Sequence, residues 1–265
     1  MNEIEVGQYF DTASETYTHE KSVEEISSWP IVDEFIADLS SEGDRLLEIG
    51  CGDGLLLEYA LNQTDVTEAY GLDLSTTMLP DPNDAVQARY VQGSATDLPL
   101  PFEPESFEFV VMSDVLHHLV GANRSQSKLK AQAALIEAVN LLKEGGHLII
   151  KDIYHPSHVG PDKLVPYAIF YGLKYFVEIA SAIDEEATRG LLVSFYTADE
   201  LVEMLQQAGT TVVKEEEVSR GKQKTVVRRA LIGESTCIRL YARKQSRQLE
   251  RARSSHNTHR KSKHT

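Results

Sequence analysis

The sequence predicts an α/β fold, a doubly wound, mostly parallel seven-stranded sheet with a helical cap inserted late in the chain. Three observations predict it. Short apolar runs of strand character alternate with segments of helical spacing between residues 45 and 152. A glycine-rich turn, residues 50–54 (GCGDG), follows the first of those runs and precedes an apolar helical stretch. The alternation breaks over residues 153–196, which are rich in aromatics and lack a strand pattern, and then resumes.

The elements follow in order. Residues 23–39 have helical apolar spacing interrupted at Pro30, so residues 1–40 are expected to form a helical N-terminal segment. RLLEIG is the first strand and LLLEYAL, after Gly54, a helix. EAYGLDL is a second strand ending at Asp73, ARYVQG a third and FEFVVMSD a fourth. Residues 127–142 form an amphipathic helix stopped by KEGG, and HLIIKDI is the fifth strand. TADELVEMLQQAG is a last helix, and residues 210–218 and 230–242 are two further β-like runs. Consecutive parallel strands need helical crossovers, which winds the sheet in both directions. A core domain over residues 41–243, with its cap at 153–196, accounts for all of these elements.

Composition narrows the function. The chain carries a formal charge of −15, and the residues before Lys244 carry −21, from 19 basic and 40 acidic side chains. An acidic body disfavours a nucleic-acid partner, whose phosphates need a basic face. Residues 244–265 are basic and nearly free of apolar side chains, so a disordered basic tail is expected there. Two cysteines, with no CxxC or Cys/His cluster, provide neither a disulfide framework nor a metal site. No apolar run approaches the roughly 20 residues of a membrane span, and the first residues are acidic rather than signal-like. A cytoplasmic protein is expected; nothing in the sequence predicts its oligomeric state.

Glycines between a strand and a helix allow positive φ and let a ligand approach the backbone at the helix N-terminus. Asp73 stands 19 residues after Gly54, at the end of the next strand, where a carboxylate can accept both hydroxyls of a ribose. A tight turn with Asp73 capping Ser75 would explain each feature singly; their combination points to a nucleoside. The dinucleotide fingerprint GxGxxG would end on Leu55, too large for close approach to a pyrophosphate.

The pattern of Glu48, Gly50, Cys51, Gly52 and Gly54 resembles motif I of the class I S-adenosylmethionine (SAM)-dependent methyltransferases. YGLDLSTTML resembles the ribose-binding motif of that family, VQGSATDLPLPFEPESFEFVVMSDVLHHL its adenine-contacting segment and fourth strand, and LLKEGGHLIIKD its next turn and strand. FYTADELVEMLQQAGTTVV resembles the helix and strand after the cap, and YFDTASETY the N-terminal segment that folds over SAM. The resemblance spans roughly residues 7–243; its combined motifs are specific for SAM binding and say little about substrate, and they look most like the small-molecule branch, which includes ubiquinone/menaquinone C-methyltransferases and sugar and natural-product methyltransferases. It implies a Rossmann-like methyltransferase fold and SAM as cofactor. It places Glu48, Gly50, Cys51, Gly52 and Gly54 at the amino-acid tail, Asp73 on the ribose, Leu74 beside the adenine, and Ser94, Ala95 and Asp97 at the adenine edge. Where the family often has GDA this chain has Gly93-Ser94-Ala95, so either Ser94 or Asp97 accepts from the adenine amine. Asp114 is a loop-shaping acceptor bordering the cofactor site, and Tyr17 is either a lid residue over SAM or a packing residue.

Methyl transfer is an in-line displacement that needs alignment and water exclusion, plus a base when the nucleophile carries a proton. His118, His117 and Asp152 lead the candidates at the ends of the fourth and fifth strands, with His118 slightly ahead; His155 ranks beside Asp152, and Asp114 and Tyr154 lie in the same stretches. In the family the LHHL sequence also begins a helix, so one histidine is expected only to pack. The cap aromatics Tyr167, Phe170, Tyr171, Tyr175 and Phe176 divide between packing and an acceptor pocket near Tyr171 and His118. The expected acceptor is a small molecule with an apolar or aromatic part, methylated on oxygen or carbon. The alternatives are a SAM-binding protein without methyl transfer, and an RNA or protein methyltransferase tethered by the basic tail.

Overall fold

A computed structural model describes residues 11, 29–81, 87–156, 164–175, 192–219 and 236–246. Its sheet has seven strands: β1 (Asp44–Ile49), β2 (Val66–Asp73), β3 (Arg89–Gln92), β4 (Phe107–Ser113), β5 (Leu142–Tyr154), β6 (Thr210–Ser219) and β7 (Thr236–Lys244). Their order is β3-β2-β1-β4-β5-β7-β6. The first five strands pair in parallel, while β7 lies antiparallel between β5 and β6. The strand order reverses between β1 and β4, which opens a crevice at their C-terminal ends.

Five helices are described: α1 (residues 30–39), α2 (Leu55–Gln63), α3 (Arg124–Leu141), α4 (Leu164–Tyr175) and α5 (Ala198–Gln207). Two layers cover opposite faces of the sheet. Leu47, Ile49, Val110, Met112, Leu148 and Ile150 pack under Ala134, Leu135 and Ala138 of α3 and Leu201 and Met204 of α5. Leu46, Phe109, Val111 and Ile149 pack under Phe35 and Ile36 of α1 and Leu56, Leu57 and Ala60 of α2. Central strands buried on both faces therefore read as continuous apolar runs.

Four expectations about boundaries are corrected. Pro30 opens α1 instead of interrupting it, because a proline at the first helical position loses no hydrogen bond. The carboxylate of Asp33 accepts the Trp29 N–H (2.6 Å) and so caps that end. α3 starts at Arg124, where the Asn123 side chain accepts the Gln126 N–H at 2.9 Å, and it passes straight into β5. The KEGG sequence lies inside β5, where pairing with β4 shifts register between Phe107 and Phe109 and Gly145 has a φ of +78°. β5 continues to Tyr154, two residues into the expected cap.

The tail boundary shifts as well. Lys244 ends β7 and its Nζ donates to the Leu142 carbonyl at 2.6 Å, while the Gln245 side-chain amide donates to Thr210 O at 3.0 Å. The sheet therefore holds the first residues expected in the tail. Residues 1–10, 12–28 and 247–265, Tyr17 among them, lie outside the described residues, as does Phe176.

Candidate active site

The glycine loop turns back from β1 over the end of β2. The Gly50 and Cys51 N–H groups donate to Leu72 O at 2.6 and 3.2 Å, the Gly52 N–H donates to Asp73 Oδ2 at 2.8 Å, and Gly54 caps α2. Gly52 and Gly54 both have positive φ, +53° and +73°, but for different reasons. A Cβ at Gly54 would lie 2.1 Å from the Tyr90 hydroxyl, so glycine there makes room for packing. Among the described residues a Cβ at Gly52 would approach only Met78 Cε, at 3.3 Å, so they leave that stretch of backbone bare. The Cys51 thiol packs at the back of the loop, 2.5 Å from where a Gly71 Cβ would be; burial, then Glu48 and Asp73, push its pKa up, so it stays protonated.

Acidic groups surround this loop. Asp73 accepts from Gly52 and, through Oδ1, from the Ser75 N–H at 2.9 Å. Burial raises its pKa although the Ser75, Gly52 and Leu74 N–H groups oppose the rise. Leu74 is half-buried, and its carbonyl accepts from the Gln92 side chain at 3.3 Å. Glu48 is 4% exposed and its Oε2 has no hydrogen-bond partner among the described residues. Burial, then Asp53 and Asp73, push its carboxyl well above the ordinary carboxylate range. Asp11, from the YFDT stretch, accepts from the Ser75 hydroxyl at 2.6 Å and from Thr77 at 3.2 Å, tying the N-terminal segment to the end of β2. Sequence reading passed over Asp11, whose only signal is its place in a matched motif, whereas the Asp73–Ser75 contact is the cap that the turn alone suggested.

On the turn after β3, the buried Ser94 hydroxyl accepts the Thr96 N–H at 3.1 Å and bonds the Thr96 hydroxyl at 3.0 Å. Asp97 is exposed on the same turn, and Ala95 packs against the core. After β4, Asp114 takes a φ of +57°, donates its N–H to Lys151 O at 2.7 Å and pairs its carboxylate with the Lys151 ammonium.

The next turn, Leu116–His118, brings two of the three leading catalytic candidates together. His117 Nδ1 and Asp152 Oδ1 are 2.5 Å apart, at 1% and 2% side-chain exposure, and the same oxygen accepts the Ile153 N–H at 2.7 Å. The His118 ring lies 4.0 Å from that of His117. Burial first, then His117, push the His118 pKa well below the histidine range, so His118 is held neutral.

Arg124 was not singled out by sequence, because it stood in the loop before the expected helix, where an arginine looks solvent-exposed. It is buried, pairs with Glu200 at 2.6 Å and donates to Phe195 O at 2.5 Å. Its guanidinium lies 4.9 Å from the Tyr167 ring of α4, and the Ser194 N–H donates to His117 O at 2.8 Å. The cap helix, the segment after it and the His117–Asp152 pair are thus joined through one buried cation.

In α4, Val165, Ile169 and Leu173 face Ile153, Val193 and Phe195. Tyr167, Tyr171 and Tyr175 stack along the outer face, with ring centres 6.3 and 6.2 Å apart. Tyr171 is 37% exposed, because helical spacing puts the tyrosines opposite the buried aliphatics. Phe170 is the buried aromatic of this helix.

Beside this loop the buried Glu48 feels three further carboxylates, Asp53, Asp73 and Asp114, and one lysine, Lys151. Among the described residues no group of acidic, histidine or cysteine side chains could hold a metal ion, and no helix is long and apolar enough to cross a membrane.

Comparison with known proteins agrees. A family profile described as a methyltransferase domain matches residues 47–150. An uncharacterized methyltransferase of Synechocystis is 32% identical over 193 residues, which cover 72% of this chain and 77% of that protein. A 2-phytyl-1,4-naphtoquinone methyltransferase of Trichormus variabilis is 29% identical over 122 residues, 44% of this chain and 49% of that protein, so the match spans about half of its length. A SAM-dependent methyltransferase structure from Methanosarcina mazei superposes with a TM-score of 0.55 at 19% identity, covering 83% of this chain and 99% of that one, a likeness of fold.

Proposed function

The chain belongs to the class I SAM-dependent methyltransferases, in their small-molecule branch, and on that premise we propose that it methylates oxygen or carbon of a small molecule with an apolar or aromatic part. The observation that carries the reading is the bare Gly52 backbone tied to the Asp73 carboxylate at the crevice where the strand order reverses. SAM, when bound, supplies a methyl group already activated by a sulfonium charge. Asp73 holds the ribose hydroxyls, and Glu48 with Gly50, Cys51, Gly52 and Gly54 holds the amino-acid tail. Leu74 and Ala95 flank the adenine, and Asp97 takes its amine, because the Ser94 hydroxyl is engaged within its own turn. Asp114 and Lys151 close the edge next to β5.

For an oxygen acceptor a proton must leave. We assign that task to His117, whose imidazole the Asp152 carboxylate orients. His118, held neutral by burial, packs beside it. An acceptor carbon in an already acidic ring would need this pair less. The relatives that support a small acceptor include the naphthoquinone methyltransferase, and the strongly acidic body disfavours a nucleic acid.

The test incubates the protein with SAM and fractionated metabolite extracts and follows S-adenosylhomocysteine together with methylated products by mass spectrometry. A methylated small molecule formed in step with S-adenosylhomocysteine is expected. Bound SAM with no turnover in any fraction, or turnover only on RNA or protein, would overturn the reading.

A further inference from the structure

Residues 192–197, between the cap and α5, belong to no helix or strand, yet Ser194, Phe195 and Tyr196 are buried. Irregular backbone can be buried only where its polar groups find partners. Two of these partners lie outside the segment. The Ser194 N–H donates to His117 O at 2.8 Å, and Phe195 O accepts from Arg124 Nη1 at 2.5 Å. The Phe195 ring then lies 5.2 Å from the His117 imidazole, tilted by 31°, and 4.7 Å from that of His155. His117 itself stands in a turn of three residues, Leu116–His118, that has no side-chain cap. Asp152 holds one edge of its ring, while the Ser194–Phe195 stretch holds its carbonyl and packs on the ring.

Stability alone gives little reason for an arginine here. Arg124 is the first residue of α3, where the helix dipole disfavours a cation, and a buried ion pair gains little over apolar groups of the same size. Its geometry, however, has a use. Nη2 bonds Glu200 at 2.6 Å, Nη1 bonds Phe195 O and lies 3.3 Å from Ser194 Oγ, and the guanidinium lies 4.9 Å from the Tyr167 ring and 5.3 Å from the Tyr196 ring. A planar fork meets these groups together, and a lysine ammonium cannot. The same Glu200 oxygen accepts the Thr197 N–H at 3.2 Å, so the cation is anchored to the start of α5.

We propose that Arg124 is a positioning residue for the proton-accepting histidine. By holding Ser194 and Phe195 against His117, it keeps the imidazole in the tautomer that gives its Nδ1 proton to Asp152 and leaves the Nε2 lone pair for the proton of the acceptor. The inference rests on the assignment of His117 as the base. Arg124 acts through the Ser194–Phe195 stretch, and no covalent step is involved.

The experiment is nitrogen NMR of the full chain carrying isotope-labelled histidine, without added SAM, with the His117 signals identified by their loss in His117→Gln. Wild type should show one His117 tautomer, protonated on Nδ1, with that proton protected from solvent exchange. In Arg124→Lys the Nδ1 proton should exchange at least about tenfold faster. Glu200→Gln keeps an acceptor for Arg124 but removes the charge; it too should lower the melting temperature, yet leave the exchange rate within about twofold of wild type. A role in stability alone would move the His117 signals of both variants, or of neither. Should Arg124→Lys fold poorly, Phe195→Leu, which removes the ring beside His117, should give the same acceleration. An unchanged exchange rate in the variant used, or equal changes there and in Glu200→Gln, overturns this inference alone. A wild-type His117 that is not protonated on Nδ1 overturns its assignment as the base, and this inference with it.

Discussion

The Asp73 carboxylate spans two backbone segments: one oxygen accepts the Gly52 N–H at 2.8 Å and the other the Ser75 N–H at 2.9 Å. One side chain thus sets the glycine loop relative to the end of β2. Hydrogen bonds to a charged acceptor contribute about 1.5–3 kcal/mol each. Asp73→Ala should weaken SAM binding at least about tenfold, by loss of ribose contacts and of loop position. Unchanged affinity by calorimetry would remove Asp73 from the site.

The two inner glycines should fail differently. Gly52→Val should lose SAM binding with a stability loss of about 1–2 kcal/mol, because the position is open but left-handed. Gly54→Ala should cost more, since the Tyr90 ring must move. In combination with Tyr90→Ala its cost should be less than additive in urea unfolding. Strict additivity would show that the two residues do not press on one another.

Asp152 Oδ1 lies 2.5 Å from the Nδ1 of His117 and is its hydrogen-bond partner among the described residues. Asp152→Asn should lower turnover on an oxygen acceptor well beyond any change in SAM affinity, and should cost about 1–3 kcal/mol of stability. Equal losses of turnover and SAM affinity would make the pair structural.

His118 gives a pH signature. Its folded pKa lies well below the ordinary 6.5, so the unfolded chain takes up a proton that the folded chain refuses. Its contribution is fully present above 6.5 and is lost as pH falls below it, by up to about 1.4 kcal/mol per unit. Wild type should lose more stability than His118→Gln between about pH 7.5 and 5.5. Parallel unfolding curves at both pH values would contradict this.

A chain ending at Ser246 should keep its melting temperature and SAM affinity. One ending at Arg243 should melt lower, because it loses the Lys244 bond to Leu142 and the Gln245 bonds to Gly209 and Thr210, worth about 1 kcal/mol each. A lower melting temperature for the Ser246-terminated chain would place later residues within the fold.

The sequence by itself determined the order of strands and helices, the glycine loop and its distance to Asp73. These are local: alternation of apolar runs, a helical repeat, and a turn that needs positive φ each leave a mark within a few residues. The matched motifs added the cofactor. Sequence could not order the two histidines, because whether His117 or His118 meets Asp152 depends on how the turn after β4 lies against β5, 35 residues on. Nor could it show that Arg124 is buried against Glu200, 76 residues away, that the α4 tyrosines face outward, or that Glu48 lies buried with one oxygen unbonded. Tertiary structure decided these points, because a side chain's burial and partners are set by the strands and helices packed against it, and distant residues leave no local pattern where they meet.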